Sequence, residues 1–223
     1  MMSLHSFHYD KINLVELEAA LSKQRLSTFA NFSAGNQSFT LRLHAWNTAL
    51  GEALFGPIQI LEIVLRNSIH NRLILAFGES WHEYCLTGSE QNMLVKAKRG
   101  LLWAHQPITS LHIVACLNFG FWISLLARPH ENDLWRKHLC HAFPYAPKPL
   151  RRKQIHGPLH KMRLLRNRIA HHESLLKHPR ALINLPQDHA LILEIISWIS
   201  PETSVWAGYH SRFEEVWNNR PMF

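Results

Sequence analysis

The chain has 223 residues, 47% of them hydrophobic and 18% charged, so it can bury a real core and is not disordered. A formal charge of +8 makes an anionic partner reasonable, though mild basicity alone does not require one. Three scattered cysteines without a CxxC pair argue against a disulfide framework or zinc ribbon and for a reducing, cytoplasmic compartment.

Taken in chain order, the periodicity predicts helices and no alternating strand. The opening "MMSLHSFHYDKINL" has no basic segment leading into an apolar core, so no signal peptide is expected. Helices are predicted near 13–25 and 38–54. Gly56-Pro57 then reads as punctuation, with Pro57 in the first turn of a new helix, "PIQILEIVLRNSIHNRLILAFG", closed by Gly78. Further helices are expected near 89–104, 108–127 and 131–140. The apolar run "IVACLNFGFWISLLA" is too short for a membrane span and contains Asn118, so it reads as a buried helix. "FPYAPKP" (143–149) is a proline-rich break. A helix follows from Pro158 to about 176, then one over 187–199 and a short pair starting at Glu202 and Ser211. The expected fold is all-α: one domain over 1–223, with a core of about 20–200 and helices 201–223 appended.

The stretch "RLLRNRIAHHESLL" (163–176) carries the most chemistry. At about 100° per residue, Met162, Leu165 and Ile169 line one side of the helix. Arg163, Asn167 and His171 recur at i, i+4 and i+8 on the other, with Arg166 flanking them. His172 falls at the margin of the apolar face. The bland explanation is a solvated basic face, with Arg166 or Arg168 paired to Glu173 and the histidines as C-terminal caps. The functional explanation is RNA cleavage. Attack of a 2′-OH on its own phosphate needs a base that titrates near neutrality, which His supplies. It also needs a forked cation on the phosphate, which Arg supplies. Asn can orient either group, and no metal is required. Arg166 and His171 lie about 140° apart on an ideal helix. Either the phosphate spans them, or the helix frays there, or a second copy completes the site across a two-fold axis.

A second polar stripe, Glu62, Arg66 and His70, recurs at i, i+4 and i+8 on an otherwise apolar helix. It is an internal Glu62–Arg66 bridge, a support that packs beside the motif helix and orients its histidine or binds phosphate, or both at once. Adjacent His171 and His172 make a poor metal chelate, and the HxxxH spacing is absent there. No metal or other cofactor is expected. Neither a Walker A nor a GxGxxG fingerprint is present, which leaves nucleotide-driven chemistry such as nucleotidyl transfer without support. Most tryptophans are expected in the core rather than on RNA bases.

"RNRIAHHE" resembles the R-N-x-x-x-H signature of HEPN domains, specifically the Abi-like (abortive infection) branch. "LSKQRLSTF" (21–29), "LHAWNTALGEALFGPIQILEIVLRNSIHNRL" (43–73), "FGESWHEY" (77–84), "LNFGFWISLL" (117–126) and "LWRKHLCHAFP" (134–144) are similar to that branch, in its order. The resemblance covers about 20–200. It implies a HEPN-like helical bundle with additional flanking helices, often a homodimer whose signature helices meet at a ribonuclease site. Arg166, Asn167 and His171 would be its catalytic set, supported by Arg163, His172, Glu62 and Arg66. It also implies a toxin or antiphage role, with RNA as partner, room for an antitoxin or regulatory protein, and no membrane. Family members that bind RNA or scaffold without cleaving keep a non-catalytic alternative open.

Overall fold

The computed structural model describes residues 7–176 and 179–222; part of the amino-terminal stretch read for a signal peptide lies outside them. The described residues form ten α-helices and no strand. The helices are α1 (Leu14–Leu21), α2 (Lys23–Phe32), α3 (Gln37–Phe77), α4 (Gly88–Trp103), α5 (Ser110–Cys116), α6 (Phe119–Ser124), α7 (Arg152–Ala170), α8 (Pro179–Ile199), α9 (Pro201–His210) and α10 (Phe213–Asn218). The all-α expectation holds.

Several boundaries differ from the sequence reading. Pro57 does not start a helix; α3 runs straight through it. Likewise α7 begins at Arg152 and runs through Pro158. An interior proline removes a hydrogen bond and normally breaks a helix. In both places the preceding residue is glycine, Gly56 and Gly157, whereas Pro186 inside α8 follows Leu185. Glycine there is an aid, not a requirement. Without a Cβ it escapes much of the clash that forces a pre-proline residue out of the helical region. The predicted helix 108–127 is instead two. Leu117 and Asn118 are extended, and Asn118 caps α6 by accepting the Phe121 N–H at 3.0 Å. The predicted helix 131–140 is a π-helical turn, Glu131–Trp135, followed by a 3-10 turn at Leu139–Ala142. α3 is the one described helix long and apolar enough to cross a bilayer by length and composition. Its apolar stripe lies in the protein interior: Leu50, Leu54, Leu61, Leu65, Ile69 and Leu73 are all 0% exposed.

The chain divides into two compact units. The first takes the chain through Pro57, Leu165–Ala190 and the segment from Tyr209 onward. Its core contains Leu26, Phe29, Trp46, Leu50, Leu165, Leu175 and Phe213. Fully buried Trp46 donates its indole N–H to the Val216 carbonyl at 2.8 Å, and its ring lies 6.0 Å from Trp217. The carboxyl-terminal segment is therefore not an appendage. Phe213 and Val216 of α10 are core residues of this unit, and Ala207 of α9 is buried as well.

The second unit spans Ile58–Leu164 and Leu191–Gly208. Trp81, Phe121 and Trp122 form its aromatic centre. The Trp81 indole donates to His70 Nδ1 at 3.1 Å. Buried Arg152 at the start of α7 is satisfied by the Glu131 carboxylate (2.5 Å) and the Leu126 carbonyl (2.9 Å), as a buried charge requires. Buried Glu90 accepts from Thr87 and lies 3.7 Å from His130. Trp46, Trp81, Trp122 and Trp135 are core residues, but Trp103 and Trp206 are exposed and Trp198 and Trp217 half-buried, so the core expectation holds for half of the eight tryptophans.

Candidate functional site

The motif lies at the carboxyl-terminal end of α7. Arg166 and Asn167 occupy its last turns. The helix stops at Ala170, not near 176, so His171 and His172 lie beyond it. The stop has identifiable bonds. The His172 N–H bonds to the Ile169 carbonyl (3.0 Å) and the Glu173 N–H to the Arg168 carbonyl (2.9 Å). His172 adopts φ +55. This is a Schellman cap with histidine where glycine is usual. A left-handed backbone costs a side-chain-bearing residue roughly 1–2 kcal/mol, and His is among the better tolerated.

Two long-range bonds fix this turn. Arg25 of α2 donates from Nη1 to the His172 carbonyl at 2.7 Å. Asn47 of α3 accepts the buried Leu175 N–H on Oδ1 at 2.7 Å. Leu175 and Leu176 then anchor the chain in the core at 1% and 2% exposure. The turn is thus held at His172 and again three residues later.

The ending changes the geometry of the site. On a continuous helix His171 would follow Arg163 and Asn167 at i+8. Here the row stops at Asn167, and His171 takes the C-cap position, its N–H bonded to the Asn167 carbonyl at 2.9 Å. Its ring is exposed and has no side-chain partner among the described residues. The 140° separation of an ideal helix does not apply past the last turn.

The bland pairing accounts for only one cation. Arg168 Nε lies 3.8 Å from Glu173 Oε2, both side chains partly exposed. Arg166 takes no such partner: its Nε is buried and meets no acceptor among the described residues. The same is true of Arg163 Nε. Arg163, in the second unit, approaches His160 Nδ1 only at 3.5 Å. It lies over Gly120, where an added Cβ would sit 3.5 Å from its Cδ. Buried donors without acceptors are unusual and costly, and a guanidinium suits a phosphate oxygen.

Glu62 and Arg66 lie in the second unit, both half-buried. The proposed internal bridge does not form: Arg66 Nε donates to Asn67 Oδ1 at 3.3 Å, and no ion pair between Glu62 and Arg66 is found among the described residues. His70 is engaged instead by Trp81, and burial, with Arg66 second, lowers its pKa.

Around the turn the first unit opens two pockets. The shallower, of ≈ 290 Å³, is lined by Ser22, Arg25, Thr28, His171 and His172 among others. The larger, of ≈ 700 Å³, shares Arg25, His172, Glu173 and Ser174 with it and extends to His44, Glu52 and Phe55. Arg25, His44 and Asn47 escaped the sequence reading. They lie about 130–150 positions from the motif and carry no local pattern pointing to it. Among the described residues no group of three or more His, Cys, Asp or Glu side chains is placed to hold a metal. Compared with models of known protein families, with curated proteins and with solved structures, the chain matches none.

Proposed function

We propose that the protein is a metal-independent endoribonuclease of the HEPN, Abi-like type, working in the cytoplasm as an abortive-infection or toxin effector. One observation carries this reading. Of the three arginines in the motif, Arg168 takes the local acid, while Arg166 holds a buried Nε–H group that meets no acceptor among the described residues, directly before Asn167 and five positions before an exposed histidine. A merely solvated basic face does not bury guanidinium donors unpaired.

In the proposed reaction the 2′-oxygen attacks the adjacent phosphorus as His171 removes its proton. The P–O5′ bond breaks, and the departing 5′-oxygen takes a proton from an acid. The products are a 2′,3′-cyclic phosphate and a 5′-OH. Arg166 holds the phosphate oxygens and Asn167 orients the phosphate or the imidazole. The negative end of a helix dipole repels an anion, so the guanidinium groups must outweigh it. A second copy, bringing its own motif across a two-fold axis, would supply the second proton-transfer group. An antitoxin or other regulatory partner would act on the same turn.

The alternative is a catalytically silent RNA-binding or scaffold protein. That no side-chain partner orients His171 among the described residues favours it, because a general base is usually held by a neighbour. RNA degradation assayed in EDTA separates the two. Cleavage by the wild type, lost in Arg166→Lys, supports the enzyme. Salt-dependent RNA binding without cleavage supports the scaffold, and cleavage abolished by EDTA and restored by a divalent ion refutes the mechanism.

A further inference from the structure

The ≈ 700 Å³ pocket beside the motif turn belongs to the range of small-molecule sites, being mostly apolar with a few placed polar groups. We propose that it holds the base of one guanine nucleotide, the residue on the 5′ side of the cleaved phosphate. This inference rests on the RNA-cleavage reading for its setting, but the binding it asserts can be measured without cleavage.

The pocket is built by one stripe of α3. His44, Thr48, Gly51, Glu52 and Phe55 recur at i, i+4, i+7, i+8 and i+11, opposite Ile169 at the end of α7. Gly51 keeps the middle of that stripe low; even an added Cβ would only touch Ile169 at 3.5 Å. Phe55 is an apolar ring left 40% exposed, in a pocket where a flat base can stack on it. His44 packs edge-on against Phe29 with centroids 5.2 Å apart. Burial, with nearby Arg25, lowers its pKa, so its ring stays uncharged at neutral pH.

Charge orients the ligand. Arg25 and Glu173 both line this pocket and the shallower one that contains His171 and His172, and Glu173 is taken up by Arg168 at 3.8 Å, which leaves Arg25 as the group at that edge for an anion. A phosphate at that shared edge would meet the guanidinium and lie beside the motif. Glu52 lines this pocket but not the shallower one, and has no ion-pair partner among the described residues. An ionised carboxylate only accepts hydrogen bonds. Guanine offers it two adjacent donors, N1–H and the N2 amino group. Adenine and cytosine each place a ring-nitrogen acceptor beside their amino group, and uracil flanks its single N–H with two carbonyl oxygens. Those lone pairs repel a carboxylate, so the pocket selects guanine. Free and RNA-borne guanine nucleotides share this chemistry.

The test is calorimetric titration of the full chain with guanosine, adenosine, cytidine and uridine 3′-monophosphates, followed by cleavage of oligoribonucleotides containing a single guanosine. The expected result is about tenfold or stronger preference for the guanosine nucleotide, since a good bidentate contact discriminates by that order. Glu52→Gln should erase the preference, and Phe55→Ala should weaken all four nucleotides about tenfold. Both side chains are solvent-facing, and circular dichroism checks that the variants fold. Cleavage on the 3′ side of the guanosine assigns the pocket to the substrate. Guanosine nucleotide binding without any cleavage upholds the pocket and rejects the ribonuclease reading. Binding of the free nucleotide that guanosine-containing RNA does not displace upholds the pocket for free nucleotides. Equal binding of all four, no binding at millimolar concentration, or retained preference in Glu52→Gln overturns the inference.

Discussion

Asn47→Ala tests whether the motif turn is held from outside. The Leu175 N–H that Asn47 accepts at 2.7 Å belongs to a residue 1% exposed, beside the ≈ 700 Å³ pocket, so without the Asn47 oxygen it is left unsatisfied or must turn to water in that pocket. A buried amide left unsatisfied costs about 1–3 kcal/mol, a large share of a typical folding free energy of roughly 5–15 kcal/mol. At this chain length each kcal/mol moves the midpoint of thermal unfolding by about 2–4 °C, so Asn47→Ala should lower it by about 2–12 °C. Asn47→Asp keeps an acceptor at the same position and should recover most of the loss. Thermal unfolding followed by circular dichroism gives the magnitude, and amide hydrogen exchange at Leu175 gives the location. The alanine variant should exchange there much faster than the wild type. Unfolding within about 1 °C of the wild type, with unchanged exchange at Leu175, would refute the claim that this bond anchors the turn.

The paired and unpaired arginines should separate cleanly. Arg168→Lys keeps an exposed partnership with Glu173 and should leave RNA cleavage within about twofold, whereas Arg166→Lys loses the planar fork and should reduce it at least about tenfold; equal effects would remove the distinction. Acid should weaken the fold. Burial is the largest cause lowering the His44, His70, His82 and His189 pKa values below the ordinary 6.5. Their contribution is complete above 6.5 and is lost as pH falls toward the lower folded-state values, because the unfolded chain protonates first. The urea midpoint should therefore drop between pH 7 and pH 5, and a flat or rising midpoint would contradict this. At still lower pH Glu90 adds to the loss. Its burial favours the neutral acid, but bonds from Thr87, Ser124 and its own backbone outweigh that and hold its pKa below 4.5. Stability should fall as pH drops from 4.5 through that lower value, and Glu90→Gln should flatten this limb of the curve.

The sequence was most readable where a segment's structure depends on its own pattern. The apolar spacing marked most of α3, α4, α7 and α8, and α4 came within a residue or two of its observed ends, whereas α2 was missed beyond residue 25. Met162 and Leu165 were correctly set in the core face of α7. Prolines misled, because Pro57 and Pro158 read as starts while α3 and α7 run through them, as α8 runs through Pro186. The motif was visible, but its geometry was not. Where α7 ends depends on His172 accepting a left-handed conformation, and that is secured by Arg25, 147 positions away. The same distance hid the pocket, whose wall is a stripe of α3 that by itself looks like an ordinary amphipathic helix. The Glu62–Arg66 spacing suited a bridge, yet Arg66 turns to its neighbour Asn67. Spacing sets which pairs can meet, and packing decides which do.

The most direct test is to incubate wild type and His171→Ala with total cellular RNA in EDTA and to read the chemistry of the new 3′ ends. The account predicts 2′,3′-cyclic phosphates from the wild type and a loss of about a hundredfold or more in the folded variant, the scale of a removed general base. Cleavage undiminished in His171→Ala, or no cleavage by folded wild type across a broad set of RNAs, would contradict it.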